Sequence, residues 1–594
     1  MGDFLRSQKE RADKKSRVGE RWRRHSSWKG GSGQRMWVLW GVIGILVILL
    51  ISRLVYMYGV ENDKLRQEGE KRFLRQRVDM ALRGSIEDRN GKPLAVSVPV
   101  STVWVNLGIL AESGDQAIKD IAKALSVDEK KIRDRLAQKK EGVLLLKRNV
   151  DEREFEEIKK QKLPGVYATR DYQRMYPQAE SVSQLVGLVD IEGKGQEGLE
   201  YAFDANLKGK NGSRSEMIDR LGRVVEEIGV QEEVKDGDTL RLTIDMRLQY
   251  PIFQMLKGAI KYYGAKAGMV MVMDAKTGDV LAMVNWPSFV PGQPIRSLEQ
   301  LKNRVVTDAF EPGSTFKPFT IALALDQGKV KPGFRVDTSP GKLVIADKTI
   351  RDAEVHGVLD VSEVIQKSSN IGTSKIAFML DSKDMWGMYS NLGFGRTPKV
   401  GLSGEASGIL MKPEKWLPIH QATISYGHGV SVSALQLVSS YTVFANDGVF
   451  IPPRLVLSNP ASAGHLVFSP RTAKTVLGFL EKATQPGGTG TLAGSYTQGY
   501  RMAGKSGTSK KLEGGKYVKK YVTSFSGVVP ASKPQYVITV VIDEPSKNGF
   551  SGGIVAAPLF SRVAQTVLRV YNVIPDAPEK ITEAPAAPAK ELVD

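Results

Sequence analysis

The chain has 594 residues, enough for two or three domains and at least one large hydrophobic core. It holds no cysteine, which excludes disulfides and thiolate metal sites. The formal charge of +19 raises nucleic acid as a partner, but residues 1–35 alone carry 11 Lys/Arg against 4 Asp/Glu and the remaining excess forms no dense basic block, so no nucleic-acid partner is expected.

An apolar segment follows that basic tail at once. Met36 to Ser52 run 17 residues without a charge, Arg53 interrupts, and Leu54 to Val60 continue the apolar character. Trp37 and Trp40 mark one boundary and Tyr56 and Tyr58 the other, as aromatic belts do, while the long stem of Arg53 can carry its charge to the interface. This predicts one transmembrane helix over 36–58, a length that suits the ~30 Å hydrocarbon layer. A 35-residue preceding tail and the lack of a small-residue cleavage site argue against a removed signal peptide. With residues 1–35 as a basic cytoplasmic tail, everything after about residue 60 lies outside.

Residues 59–240 open with a charged stretch, NDKLRQEGEKRFLRQRV, that reads as helical. Strand-like STVWVNL, helical DQAIKDIAKALS and DEREFEEIKKQ, and several Gly-rich turns follow. No catalytic groups cluster there, which predicts a pedestal. From about residue 241 the texture changes. AGMVMVMDA and GDVLAMVNW flank the turn Lys276-Thr277-Gly278 as a hairpin, helical stretches follow, and VTSFSGVVP and QYVITVVIDE return as strands. The pattern predicts an α+β domain over 241–575, with helices packed on an antiparallel sheet. Residues 576–594 are Pro/Ala-rich and charged and read as a disordered tail.

Three short motifs together characterise serine enzymes that act on penicillin-like substrates: Ser-x-x-Lys, Ser-x-Asn and Lys-Ser/Thr-Gly. The first occurs three times. Ser26/Lys29 lies in the cytoplasmic tail, and Ser339/Lys342 spans Pro-Gly and cannot be a helical turn. Ser314/Lys317 follows the turn Pro312-Gly313 at the start of a helix, which puts both side chains on one face about one turn apart. A serine hydroxyl needs a base to take its proton, and a lysine serves once burial and neighbouring cations lower its pKa. Ser368-Ser369-Asn370 supplies the second motif 54 residues downstream; Ser368 could relay a proton, and Asn370 could hold a substrate amide and orient Lys317. For the third, Lys276-Thr277-Gly278 precedes the nucleophile and is discounted in favour of Lys505-Ser506-Gly507-Thr508. There Lys505 brings positive charge, Gly507 lets a substrate backbone lie alongside a strand edge, Ser506 and Thr508 could bind a carboxylate, and the Thr508 N–H could join that of Ser314 in an oxyanion hole. Each motif alone is better read as a cap, a turn or a solvated charge; the three in this order are far more specific. The five histidines (His25, His356, His420, His428, His465) show no metal-ligand spacing, and no metal site is predicted.

Residues 499–506 also match the phosphate-loop pattern G-x-x-x-x-G-K-[ST], but such a loop must follow a strand and open a helix, and TSKKLEGGK opens none. A non-catalytic scaffold is the other alternative, although it has no need of three intact motifs.

Beyond these motifs, Arg83-Gly-Ser-Ile-Glu-Asp-Arg-Asn-Gly-Lys-Pro-Leu-Ala95, Gly198-Leu-Glu200 and Asp219-Arg220 resemble the non-penicillin-binding module of the class B penicillin-binding proteins. Phe310-Glu-Pro-Gly-Ser-Thr-Phe-Lys-Pro318, Ser425-Tyr-Gly-His-Gly429 and Ala503-Gly-Lys-Ser-Gly-Thr-Ser-Lys510 resemble their transpeptidase domain. With GGTGT at 487–491 and SGVVPASKPQYVITVVIDEP, the likeness is to the division-specific branch, over about residues 83–575. It implies a peptidoglycan D,D-transpeptidase of the bacterial inner membrane with its bulk in the periplasm. Ser314 would attack the D-Ala-D-Ala end of a stem peptide, expel D-Ala and pass the acyl group to a neighbouring amine; β-lactams would acylate the same serine. No metal or organic cofactor is implied, and the expected partners are peptidoglycan stem peptides, the glycan polymerase FtsW and other division proteins. An elongation-type enzyme of the same class is the nearest alternative.

Overall fold

A computed structural model describes residues 32–59, 61, 63–64, 73–139, 142–218, 224–495 and 499–581. Most of the basic tail, including His25, Ser26 and Lys29, lies outside them, as do Asp219-Arg220 and residues 582–594. The chain divides into two compact units, Met1–Asp79 with Gly212–Glu233, and Met80–Asn211 with Val234–Asp594.

The first unit contains the helix Ser32–Gly59, of which Met36–Gly59 is long and apolar enough to cross a membrane and is not buried against protein. Its other element is an antiparallel sheet of Leu74–Asp79, Gly212–Ile218 and Val224–Glu232. Leu74–Asp79 falls in the stretch expected to be helical. Pairing along its whole length with Gly212–Ile218, reinforced by Arg214 on Asp79 at 2.6 Å, outweighs the weak helix preference of Leu, Arg and Gln. Residues 65–72 of the same stretch lie outside the described ones.

The N-terminal part of the second unit is built on the long strand Pro93–Asn106, which pairs with Val143–Val150 and Val166–Met175. The helical segment Leu107–Leu125, kinked at Gly114 (φ +78°), covers it through Leu110 before the kink and through Ile118, Ile121 and Leu125, an apolar face at helical spacing, after it. Beside this lobe the wholly buried Glu200 takes Arg83 Nε and Arg174 Nε, each at 2.7 Å, and Arg83 Nη1 also reaches Asp204 at 2.7 Å. Two carboxylates, Glu200 and Asp204, thus balance two guanidinium groups that burial would otherwise make costly.

The C-terminal part carries a five-stranded sheet, β1 (Ala267–Asp274), β2 (Val280–Trp286), β3 (Ala503–Glu513), β4 (Lys516–Val529) and β5 (Tyr536–Asp543). The order is β2-β1-β5-β4-β3, antiparallel throughout, so the strands predicted at the two ends of the domain meet in the middle and β3 forms one edge. Along β1, Val270 and Val272 face one apolar cluster while Met269, Met271 and Met273 face another. That is why the strand reads as a continuous apolar run, with both sheet faces covered. Helices α1 (Met246–Tyr263) and α4 (Gly552–Val570) cover the first face. A helical block holding α2 (Lys317–Asp326) and α3 (Asn370–Ala377) belongs to the second. The chain does not loosen at residue 576 as its composition suggests: Asp576 accepts Arg501 N–H at 2.7 Å and Ala577 N–H reaches Gly499 O at 3.0 Å.

Removing the central carboxylate of the arginine network leaves buried Arg174 without a carboxylate partner and Arg83 with Asp204 alone. Glu200→Ala is expected to destabilise this part of the chain by about 3–5 kcal/mol, read as a lowered first thermal transition; an unchanged melting curve would show that the network contributes nothing.

Candidate active site

Ser314 stands in a tight turn gripped from both sides. Gly313 takes φ +56°, and its N–H donates to Gly427 O at 3.0 Å. A Cβ on Gly427 would lie 2.2 Å from Gly313 O, so Tyr426-Gly427-His428-Gly429 can approach only because that side chain is missing. From the other side comes β3, where a Cβ on Gly507 would lie 2.7 Å from Pro312 O. Gly313–Phe316 is one turn of 3-10 helix leading into α2, so the serine sits just before the α-helix and not in its first turn. Thr315 Oγ1 donates to Pro312 O at 2.8 Å, and Tyr441 OH donates to Thr315 O at 2.8 Å.

Lys317 has no solvent exposure. Its ammonium donates to the backbone carbonyl of Ser368 and to Ser368 Oγ, the latter at 3.0 Å. Burial, and then the charge of Lys505, hold its pKa well below the usual lysine value, against a smaller opposite pull from Asp352. Ser368 pays for this placement with φ +62°. The expected Lys317–Ser368 pairing is therefore present, but Asn370 is not turned to the lysine: its Nδ2 donates to Arg351 O at 2.8 Å. What fixes this segment is Asp352, which nothing in the sequence singles out. Its carboxylate accepts from Ser369 Oγ at 2.6 Å and from the N–H groups of Asn370 at 2.6 Å and Ile371 at 3.0 Å, capping α3.

The third motif lies on β3. Lys505 is also wholly buried, and burial pushes its pKa down to about 7. Its Nζ donates to Thr489 Oγ1 at 3.0 Å, Ser506 O at 3.2 Å and Ser506 Oγ at 3.4 Å. Thr508 Oγ1 accepts Gly552 N–H at 2.9 Å, and its backbone lies beside Gly313, whose Cβ would meet Thr508 O at 3.2 Å. The structure thus brings Lys317 and Ser368 into contact and packs β3, at Gly507 and Thr508, against the Pro312-Gly313 turn that carries Ser314. The discounted copies are elsewhere. Gly278 packs on Pro452, and Ser339 and Lys342 flank a Pro-Gly turn before a short strand. Gly504-Lys505-Ser506 is strand and opens no helix, which removes the phosphate-loop reading.

Four groups that the sequence alone did not assign complete the site: Asp352, Thr489, Glu311 and Tyr517. Glu311 accepts Gly429 N–H at 2.8 Å and Tyr517 OH at 3.0 Å. The His428 ring stands 5.3 Å from that of Tyr426 and 6.4 Å from that of Tyr517, and burial lowers its pKa despite the pull of Glu311. Among the described residues no group of three or more His, Asp or Glu is placed to hold a metal.

A serine beside a buried lysine, facing a Lys-Ser-Gly strand on an edge of an antiparallel sheet, defines an acyl-transfer site of the penicillin-recognising type. Residues 268–565 match the penicillin-binding protein transpeptidase domain and residues 78–242 the penicillin-binding protein dimerisation domain. The chain belongs to the class B penicillin-binding proteins. It is 36% identical to the peptidoglycan D,D-transpeptidase FtsI of Escherichia coli, over 91% of this chain and 93% of that one. It is also 36% identical to the probable peptidoglycan D,D-transpeptidase PenA of Neisseria meningitidis, over 90% and 92%. Among solved structures, penicillin-binding protein 3 of Mycobacterium tuberculosis in complex with aztreonam is 29% identical, with TM-score 0.66 over 84% of this chain and 99% of that one. The transpeptidase domain of Burkholderia pseudomallei penicillin-binding protein 3 is 44% identical, with TM-score 0.52 over 56% and 97%.

The clamp on the nucleophile turn is directly testable. In Gly507→Ala the new Cβ would lie 2.5 Å from Ser524 Oγ and 2.7 Å from Pro312 O, so the turn must shift. Acylation by a penicillin is expected to slow by about 100-fold with a melting temperature near that of the wild type; an unchanged rate would show that the clamp does not set the geometry.

Proposed function

We propose that this chain is a peptidoglycan D,D-transpeptidase of the FtsI type, cross-linking stem peptides at the division septum through an acyl-enzyme on Ser314. The observation that carries this reading is the wholly buried Lys317, bonded to Ser368 and held toward its neutral form beside Ser314. A neutral lysine takes the Ser314 proton as Oγ attacks the carbonyl of the penultimate D-Ala. Backbone N–H groups at Ser314 and Thr508 stabilise the oxyanion. The proton passes through Ser368 to the leaving nitrogen, the C–N bond breaks, and D-Ala departs. An amine from a second stem peptide then attacks the ester and gives up a proton to Lys317, the C–Oγ bond breaks, and Lys317 passes that proton to Ser314 Oγ.

Substrate placement follows from the edge position of β3, which offers its free backbone groups to an extended peptide. Asn370, beside Ser368, holds the substrate amide in this reading, after giving up its bond to Arg351 O. β-Lactams acylate Ser314 as mimics of the D-Ala-D-Ala end. The apolar helix anchors the chain in the inner membrane, and the basic residues before it favour a cytoplasmic N-terminus and a periplasmic bulk. The same anchor and the pedestal would meet FtsW and other division proteins. The 36% identity to FtsI favours the division role over elongation.

The test is labelling of the full chain by a fluorescent penicillin: stoichiometric for the wild type and absent for Ser314→Ala. Failure of a folded wild type to label would sink the reading. The two lysines also fix the pH profile of acylation. Lys317 acts only when neutral, so the rate rises as pH climbs through its depressed pKa. Lys505 acts only when charged, so in the free enzyme the rate falls as pH passes about 7. A profile that still rises at pH 9 would contradict that assignment.

A further inference from the structure

Glu311, three residues before Ser314, is where three separate segments meet on the nucleophile turn. Tyr517 OH shares its proton between the two carboxylate oxygens, at 3.0 and 3.2 Å. The nearer oxygen also accepts Gly429 N–H at 2.8 Å, and the backbone carbonyl accepts Ser509 Oγ at 2.8 Å. Tyr517 lies at the tip of the β3–β4 hairpin, opposite Leu512. One carboxylate therefore ties both the hairpin tip and the Tyr426–Gly429 loop to the turn.

His428 sits inside this arrangement. Its neighbours on both sides are bonded to the turn, Gly427 O to Gly313 N–H and Gly429 N–H to Glu311, so a movement of the ring out of its place is a movement of the loop. The ring is flanked by those of Tyr426 and Tyr517, and its Nδ1 is buried without a hydrogen-bond partner. A neutral imidazole has one N–H to satisfy; an imidazolium has two. The groups that face the ring are the Glu311 carboxylate and the Tyr426 backbone, which favour its charge, the Lys317 ammonium, which opposes it, and the Tyr517 phenol. Burial outweighs the attraction of Glu311, so the ring stays neutral until the pH falls below the usual histidine range. A conformation that releases the ring into water takes up the proton at the ordinary value. It binds more protons than the closed form between the two values, and falling pH favours it.

We propose that His428 is a proton-operated latch on the nucleophile turn. Charging the ring turns Glu311 from Tyr517 toward the imidazolium, and the hairpin tip loses its tie to the turn. The site is closed at neutral pH and loosens in mild acid. This goes beyond the acyl-transfer reading, and its test does not depend on whether Ser314 is acylated.

The chain has no cysteine, so Lys516→Cys, exposed at the hairpin tip, places a single nitroxide label on the full-length protein in detergent. Label mobility is followed by electron paramagnetic resonance from about pH 7.5 down to about pH 5. The label is carried in three backgrounds: otherwise wild type, His428→Phe and Tyr517→Phe. With His428 and Tyr517 present, the ratio of mobile to immobile label is expected to rise by up to about tenfold per pH unit below the usual histidine value. His428→Phe keeps a ring without a titrating proton, and its label should stay immobile throughout. Tyr517→Phe removes the tied hydroxyl, and its label should be mobile already at neutral pH, with no response to acid. An unchanged spectrum in the otherwise wild-type protein overturns the proposal, whatever the variants do. So does a His428→Phe protein that responds as the wild type does, because the proton then acts at another group, or a Tyr517→Phe protein that keeps the response.

Discussion

Lys317 and Lys505 are both shut away from water, and among the described residues neither has a carboxylate within hydrogen-bonding reach. Hydroxyl and carbonyl oxygens are all that bond to them, Ser368 for one and Thr489 and Ser506 for the other, with a smaller pull from Asp352 on Lys317. Burying an ammonium on such terms is costly, and protons leave in answer. The charge on Lys505 also works against charge on Lys317. An anion arriving beside Lys505 favours its charged form, and that charge holds Lys317 in the basic form. The charge on Lys505 and the basic form of Lys317 are thus parts of one electrostatic arrangement.

Close packing of backbone around Ser314 keeps that arrangement dry. Three glycines (427, 507 and 552) let chain segments come nearer than any side chain would permit. A Cβ on Gly552 would lie 2.3 Å from Gly507 O, and one on Gly427 would lie 2.2 Å from Gly313 O. Gly552 then gives its N–H to Thr508 Oγ1 at 2.9 Å, so the start of α4 fixes a side chain of the third motif. The sheet beneath, apolar on both faces, is the rigid support for these contacts.

Where a property depended on local sequence, it was legible. The β1–β2 hairpin, the strand character of β5 and the apolar anchor helix follow from periodicity and turn residues, and the Ser314/Lys317 spacing follows from helix geometry. Where it depended on pairing between distant segments, it was not. Leu74–Asp79 is a strand because Gly212–Ile218 lies beside it, and Asp576 is ordered because Arg501 offers it an N–H. Asp352 looks like any loop aspartate until folding sets it at the N-terminus of α3. Asn370 shows the reverse limit: its motif was found, but its side chain is engaged with Arg351 O.

The two edges of the sheet are treated differently, and that difference tells where a peptide can add. On β2 the outer groups are already occupied: Val280 N–H donates to Arg454 O at 2.9 Å, Met283 N–H to Gln249 Oε1 at 2.8 Å, and Gln249 Nε2 returns a bond to Met283 O at 2.8 Å. Open edges invite indiscriminate pairing, and such cover prevents it. On β3, among the described residues, no backbone group from outside the sheet bonds to residues 503–513. The exposed Lys510 brings positive charge to this edge, a usual guard against self-association. With the far side of the sheet closed, β3 beside Ser314 is the edge at which an extended strand can add.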